Sequence, residues 1–432
     1  MGKKVTRICF LLFIFGLSSV ASDEILKCRK EIKNAHRRPV VTCYVDVAVR
    51  EKGEILSEPI DTEISTLTFT NNNTKYLPDN VAATLPNLQT IFAYKCSIKE
   101  IQKTNFVGLS KLKKLCLFDN QLESVEGNIF SDLISLKNLE LQNNAINHID
   151  RNAFLGLSNL KTVYLRNNKL EKLDHEMFTS LSSLEYLNLD KNVINHIDRN
   201  AFHGQGELEI LYLSGNKLDK LYNEMFTSLP SLESLYLGKN VINHIDGNAF
   251  HGLGNLEELI LENNKLNKID HEMFASLSSL KYLNLENNAI DHIDKNAFHG
   301  LGKLETLYLK NNKLNKLDHE MFASLSSLKY LHLDDNKLES LDFGLLKPLS
   351  SVEGFHLANN SLTHIDEEIF KKFKMFFPKL RVIDLSSNPC INMKTSTLYY
   401  GEKNETEIEQ MIPTVSANCQ RKLETKDDHL NQ

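Results

Sequence analysis

Apolar residues along this chain keep one strict period. From Leu67 the same arrangement returns every 24 residues, at Ile91, Leu115, Leu139, Val163, Leu187, Leu211, Leu235, Leu259, Leu283, Leu307, Leu331 and Phe355. A longer interval of 28 residues then leads to Ile383. Each unit reads L-x-L-x-x-N-x-L-x-x-L-x-x-x-x-F-x-x-L-x-x-L. Alternation around the first two apolar positions, as in Val163 and Leu165, predicts a short strand with one buried face. An asparagine five residues after the start, from Asn120 through Asn168 and Asn240 to Asn360, predicts a ladder whose amides satisfy buried backbone groups of neighbouring turns. Cys96 fills that slot in the second unit and is expected to be a buried thiol of the ladder. Phenylalanines fifteen residues after the start, from Phe106 to Phe322 and again at Phe370, predict an aromatic spine beneath the outer side. Aspartates four residues before them, such as Asp150, Asp198 and Asp294, predict caps for a short helical turn.

Such a unit cannot bury its own leucines, so stability must come from stacking on neighbours, with a cap at each end. A period of this form is the leucine-rich repeat. The predicted fold class is α/β: a leucine-rich-repeat solenoid, or horseshoe, with a parallel β-sheet on the concave face and short helical turns and loops on the convex face. The chain divides into 1–22 as a signal peptide, 23–66 as an N-terminal cysteine cap, 67–388 as the solenoid, 389–420 as a C-terminal cysteine cap and 421–432 as a polar tail. Two departures predict local loosening. Gln205 occupies a leucine slot, and the 28-residue unit carries Phe370, Phe373, Phe376 and Phe377.

The units alternate in type, D-H-E-M-F-x-S-L-x-S-L against N-A-F-H-G-L-G, and 270–282 is identical to 318–330. Duplication on this scale makes the differences informative. The units starting at Leu259 and Leu307 differ only at Ile260/Tyr308, Glu262/Lys310 and Ile269/Leu317, and the first two of these lie on the strand face opposite the buried leucines. Variation therefore concentrates on the predicted concave surface. That surface is aromatic, with Tyr164, Tyr186, Tyr212, Tyr236, Tyr282, Tyr308 and Tyr330, and Phe92, Tyr94 and Phe118 extend the row toward the N-terminal end. Tyrosine supplies stiff, amphipathic contact area and is enriched at binding hot spots. Charges interleave, with Arg166, Lys191 and Lys239 first and Glu258, Glu262, Glu286, Lys310, Asp334 and Asp335 later. The tyrosines with Arg166, Glu258, Glu262, Glu286 and Lys310 are the candidate ligand-binding residues.

Composition narrows the setting. Residues 1–22 open with Lys3, Lys4 and Arg7, run apolar from Ile8 to Leu17 and end on small residues, the layout of a cleaved secretory signal. The whole chain carries a formal −6, and removal of those three cations leaves −9, which gives no electrostatic footprint for nucleic acid or anionic lipid. No later stretch reaches the ~18 apolar residues of a membrane span. Six cysteines remain, and the four that sit as pairs at the two ends of the chain predict end caps closed by Cys28–Cys43 and Cys390–Cys419 in an oxidising compartment. Cys116, one residue after a unit start, is expected to point outward on the concave face. A bond to Cys96, an interchain disulfide and a free thiol all stay open for it. Glycosylation sequons stand at Asn72, Asn359 and Asn404. Asn404 and Asn359 are the candidates, since Asn72 is expected in the ladder.

Histidines invite a metal reading, but His148, His196, His244 and His292 recur only in every second unit, with lysines between them. Neighbouring imidazoles are then ~10 Å apart at the strand spacing, too far to share an ion. No catalytic or cofactor fingerprint is present, so the sequence predicts no enzyme and no cofactor. Residues 67–388 resemble secreted and ectodomain leucine-rich-repeat proteins, and Asn388-Pro389-Cys390 resembles the entry to that family's C-terminal cysteine cap. The short Cys28–Cys43 cap and the phrase Leu88-Gln89-Thr90-Ile91, followed by Cys96-Ser97-Ile98, are similar to secreted insect members, among them the mosquito leucine-rich immune proteins. The coiled coil of the longer members has no counterpart in 421–432, which is polar and without heptads. The resemblance implies a secreted, non-catalytic recognition protein that binds an extracellular protein or a microbial surface component, in innate immunity. The alternatives are an adhesion or matrix-organising protein that self-associates, or a regulatory subunit of a secreted enzyme. Expected partners include neither nucleic acid nor an inserted membrane, and dimerisation stays open.

Overall fold

In a computed structural model, the structure describes residues 26–35, 38–56, 60–271, 273–365, 373–389 and 397–399. The 24-residue period becomes one turn of a coil of chain whose strands add side by side. Each strand is about three residues long and parallel to the next, in a register that places start residue against start residue: Val163 beside Leu187, Leu187 beside Leu211, Leu211 beside Leu235. Among the described residues the sheet has 17 strands. Start residues point inward and are fully buried, while the residues on either side, such as Tyr186 and Asn188 around Leu187, face the concave surface.

The asparagine ladder explains how the chain leaves each strand. The Asn168 amide donates to the Leu141 and Leu165 carbonyls at 3.0 and 2.9 Å, and its Oδ1 accepts from the Ile146 amide at 3.0 Å. One side chain thus satisfies three backbone groups on two rungs. Asn388 repeats the pattern on Leu357, Leu385 and Leu362, so the ladder survives the long rung and closes at its far side. The residue before each ladder position is left-handed, from Lys95 and Asp119 to Asn359 and Ser387, which turns the chain inward within one residue. Asn72 departs from expectation. It is exposed, and Asn71 makes the local turn instead, donating to the Asp46 carbonyl and accepting from the Asn73 amide.

Beneath the convex side, the phenylalanine rings from Phe154 to Phe322 stack with centroids 6.1–6.4 Å apart, each nearly inaccessible to solvent. The aspartates before them cap turns rather than helices. Asp150, Asp198 and Asp294 accept the amide two residues on at 2.8–3.0 Å. The two rung types differ in where the chain reverses. Gly156, Gly204, Gly252 and Gly300 take positive φ in one type, whereas Glu176 and Glu224 do so in the other. A Cβ on Gly252 would come within 3.1 Å of the Thr227 carbonyl of the rung before it, so the glycine lets the alternating loops nest. Between loop and main sheet, two-residue strands pair rung to rung, and Lys172 lies beside His196 and Lys220 beside His244 in them. The histidine and lysine slots are therefore neighbours in register.

Both ends close with antiparallel pairing. The strands Arg29–Ala35 and Arg38–Val45 form a hairpin clamped by the Cys28–Cys43 disulfide. Cys43 then pairs with Leu67 in the solenoid register and is fully buried, so the cap supplies an extra rung. At the other end Thr397–Tyr399 runs antiparallel to Val382–Asp384. Cys390, Cys419 and Asn404 lie outside the described residues, as do the signal segment and the polar tail. Phe370 also lies outside, but Phe377 packs edge-on against Phe355 at 5.3 Å and is buried.

Gln205 fills its leucine slot. It is 1% exposed, and its amide donates to the Phe178 carbonyl at 2.7 Å, while its Oε1 is buried without a partner. The expected outward thiol is also corrected. Cys116 does sit on the concave side of its strand, beside Phe92 and Glu140, but its neighbours close over it completely. Both Cys96 and Cys116 are free and buried. That excludes the bond between them, and neither offers a surface thiol for an interchain link.

Candidate ligand-binding surface

The concave face carries the predicted tyrosines in blocks rather than in one continuous row. Tyr164, Tyr186, Tyr212 and Tyr236 contact one another in sequence, with centroids 5.0, 5.3 and 4.3 Å apart, and the last pair is parallel. Tyr282 and Tyr308 form a second block at 5.3 Å, extended by His332 at 4.2 Å and His356 at a further 4.3 Å. A third, Phe92, Tyr94 and Phe118, lies near the N-terminal end, with Tyr94 stacked on Phe118 at 4.7 Å. Register produces the blocks, since parallel strands with identical turn lengths hold like positions opposite each other. Apart from the exposed Tyr94, the rings are half-buried, so much of each face is spent on its neighbour and the edges and hydroxyls are presented. Tyr330 stands apart, exposed, its hydroxyl 3.4 Å from Glu353.

Charge separates the blocks. Asp190, in the first of them, is half-buried and accepts the Ser214 amide at 2.7 Å. Burial raises its carboxyl above the usual range against the pull of Arg166, Lys191 and Lys239, all exposed. Three exposed cations thus flank this block although the chain is acidic. The gap between the two tyrosine blocks is acidic: Tyr236 hydrogen-bonds Glu258, Glu262 lies 3.9 Å from Lys239 and 3.3 Å from the Asn284 amide, and Glu286 follows. Desolvation and the Glu258 contact together raise the Tyr236 hydroxyl, and desolvation with the Tyr308 contact raises that of Tyr282. Lys310 turns to Asp335 at 3.8 Å. Asp334, expected at the surface, is buried and accepts the Ala358 amide at 3.2 Å.

Sequence reasoning missed His332 and His356. They sit in the slot that holds Tyr212 and Tyr236 in earlier rungs, and two histidines 24 residues apart were the available signal. Burial, then His356 and Lys310, lower the His332 imidazole to about 4. The sequon residue Asn359 is exposed, and its amide donates to Asp335 at 2.9 Å in a side-chain file beside the ladder.

A family model for the leucine rich repeat matches five overlapping stretches from 110–170 to 302–362, more than half of the chain. The chain is a leucine-rich repeat protein. No curated protein matches it in sequence. Among solved structures, the repeats are similar to Toll-like receptor 13 in its complex with a single-stranded RNA, at 28% identity and a TM-score of 0.63, over 76% of this chain and 51% of that one. They also match a structure of the Drosophila Toll–Spätzle complex at 19% identity and a TM-score of 0.60, over 81% and 50%. An internalin of Listeria monocytogenes matches at 24% and 0.53, over 68% and 78%. The last two likenesses concern the fold. This leucine-rich repeat chain spans about half the length of the two receptor chains it matches.

Proposed function

We propose that the protein is a secreted, non-catalytic recognition module that binds an extracellular protein or a microbial surface component on its concave face. One observation carries this reading: substitutions between near-identical duplicated rungs fall on the inner wall, where the structure gathers tyrosines and opposed charges into adjoining blocks. The scaffold holds that wall rigid, which lowers the ordering cost of binding. The Toll-like receptor 13 and Toll likenesses add that folds of this kind are found complexed with RNA and with Spätzle. The second of these is described as a hub of development and innate immunity, the setting the insect resemblance suggests. An acidic chain favours a protein or glycan over RNA as the ligand here.

Affinity capture from extracellular fluid, followed by mass spectrometry, supplies the partner. Alanine at Tyr212, Tyr236 and Tyr308 together then weakens binding by more than about 2 kcal/mol. The same rings support one another, so this variant also loses some stability. The companion variant Arg166→Glu with Lys191→Glu touches exposed side chains only and weakens binding of an acidic partner without moving the melting temperature. Unchanged affinity in both would remove the concave face from the reading.

A further inference from the structure

We propose that His332, Asp334 and His356 form a binding site for a single divalent transition-metal ion of the zinc class, at the C-terminal end of the concave face. The two histidines occupy the same position on adjacent parallel strands and lie opposite each other in register. Asp334, two residues beyond His332, faces the same way. One donor atom from each of the three lies within 4.8 Å of the other two. A tetrahedral ion with donors at ~2.0–2.2 Å spaces them by about 3.4 Å, so binding needs only side-chain rotation to draw them together.

One further feature favours an ion over a plain stack of rings. Asp334 Oδ2 is 3.9 Å from His332 Nδ1, beyond hydrogen-bond length, while Oδ1 is engaged by the Ala358 amide. A buried carboxylate therefore faces the imidazoles without a hydrogen bond to His332, and Lys310, the cation whose field reaches both Asp334 and His332, is turned to Asp335.

Two imidazoles and one carboxylate suit zinc, cobalt, nickel or copper better than magnesium or calcium. Three protein donors leave a coordination position for water or for a donor group of a bound partner. The contrast with the other histidines is physical. His196 and His244 each lie beside a lysine in register, so those slots alternate cation with imidazole and never place two imidazoles together.

The full chain is titrated with zinc chloride by calorimetry and with cobalt(II) by visible absorption. About one equivalent binds, and cobalt develops the d–d bands of a low-coordinate site. His332→Phe and His356→Phe each keep an aromatic ring in the stack but remove a donor. Asp334→Asn removes the charge. Each is expected to weaken binding more than about tenfold and to abolish or shift the cobalt bands. His196→Ala with His244→Ala leaves both readouts unchanged. Full-strength binding in the His332→Phe with His356→Phe double variant, loss of binding in the His196/His244 variant, or no zinc bound by the unaltered chain would each overturn the site.

Discussion

At the scale of single residues, the recurring lesson is that a position's direction and its burial are separate facts. Cys116 lies on the outward face of its strand, yet Phe92, Glu140 and their neighbours cover it. Burial pushes its thiol up to about 12 and that of Cys96 to about 11, from an ordinary 9.0. The unfolded chain ionises both thiols near the ordinary value while the folded chain holds its protons. Stability is therefore complete below pH 9 and falls as pH rises toward the folded values. One unit above the ordinary value, each thiol costs the fold about 1.4 kcal/mol. Urea unfolding at pH 8 and pH 10 checks this: Cys96→Ala and Cys116→Ala each flatten the alkaline decline, and neither thiol of the native protein reacts with a maleimide until it is unfolded.

At the scale of the element, each rung is a short strand, a ladder asparagine and a loop over the phenylalanine spine. Its stability depends on how well one rung matches the next. Gln205 is the mismatch. Its amide reaches back one rung to the Phe178 carbonyl, but its oxygen has no partner in a slot that Leu181 and Leu229 fill elsewhere. An unpaired buried acceptor costs roughly 1–3 kcal/mol, more than one added hydrogen bond returns. Gln205→Leu, similar in volume, is expected to stabilise the protein by about 1–2 kcal/mol, read as a higher urea midpoint with an unchanged slope. The sequence marked this position as irregular and suggested loosening. A side chain folded back onto the spine was not visible there, because it depends on the carbonyl exposed by the rung before.

At the scale of the whole molecule, the strands pair rung with neighbouring rung, and the solenoid is a one-dimensional stack. The N-terminal hairpin sets the first register by placing Cys43 against Leu67. Removing the disulfide with Cys28→Ser and Cys43→Ser opens a loop of 15 residues, a loss of about 3 kcal/mol. In a stack that loss stays local. Hydrogen exchange should accelerate in the strands Thr66–Phe69 and Thr90–Phe92 and remain unchanged at Thr306–Tyr308 and Tyr330–His332.

The 24-residue period by itself determined the fold, the concave sheet, the ladder and the spine, because each needs only an apolar or amide side chain at a fixed distance along the chain. The same period placed the tyrosines on one face. Which of them touch, that Asp334 and Cys116 leave solvent, and that His332, Asp334 and His356 meet, were decided by the tertiary structure. Those outcomes depend on the side chains of the rungs above and below, and a repeat pattern specifies where a residue sits but not what its neighbours leave open.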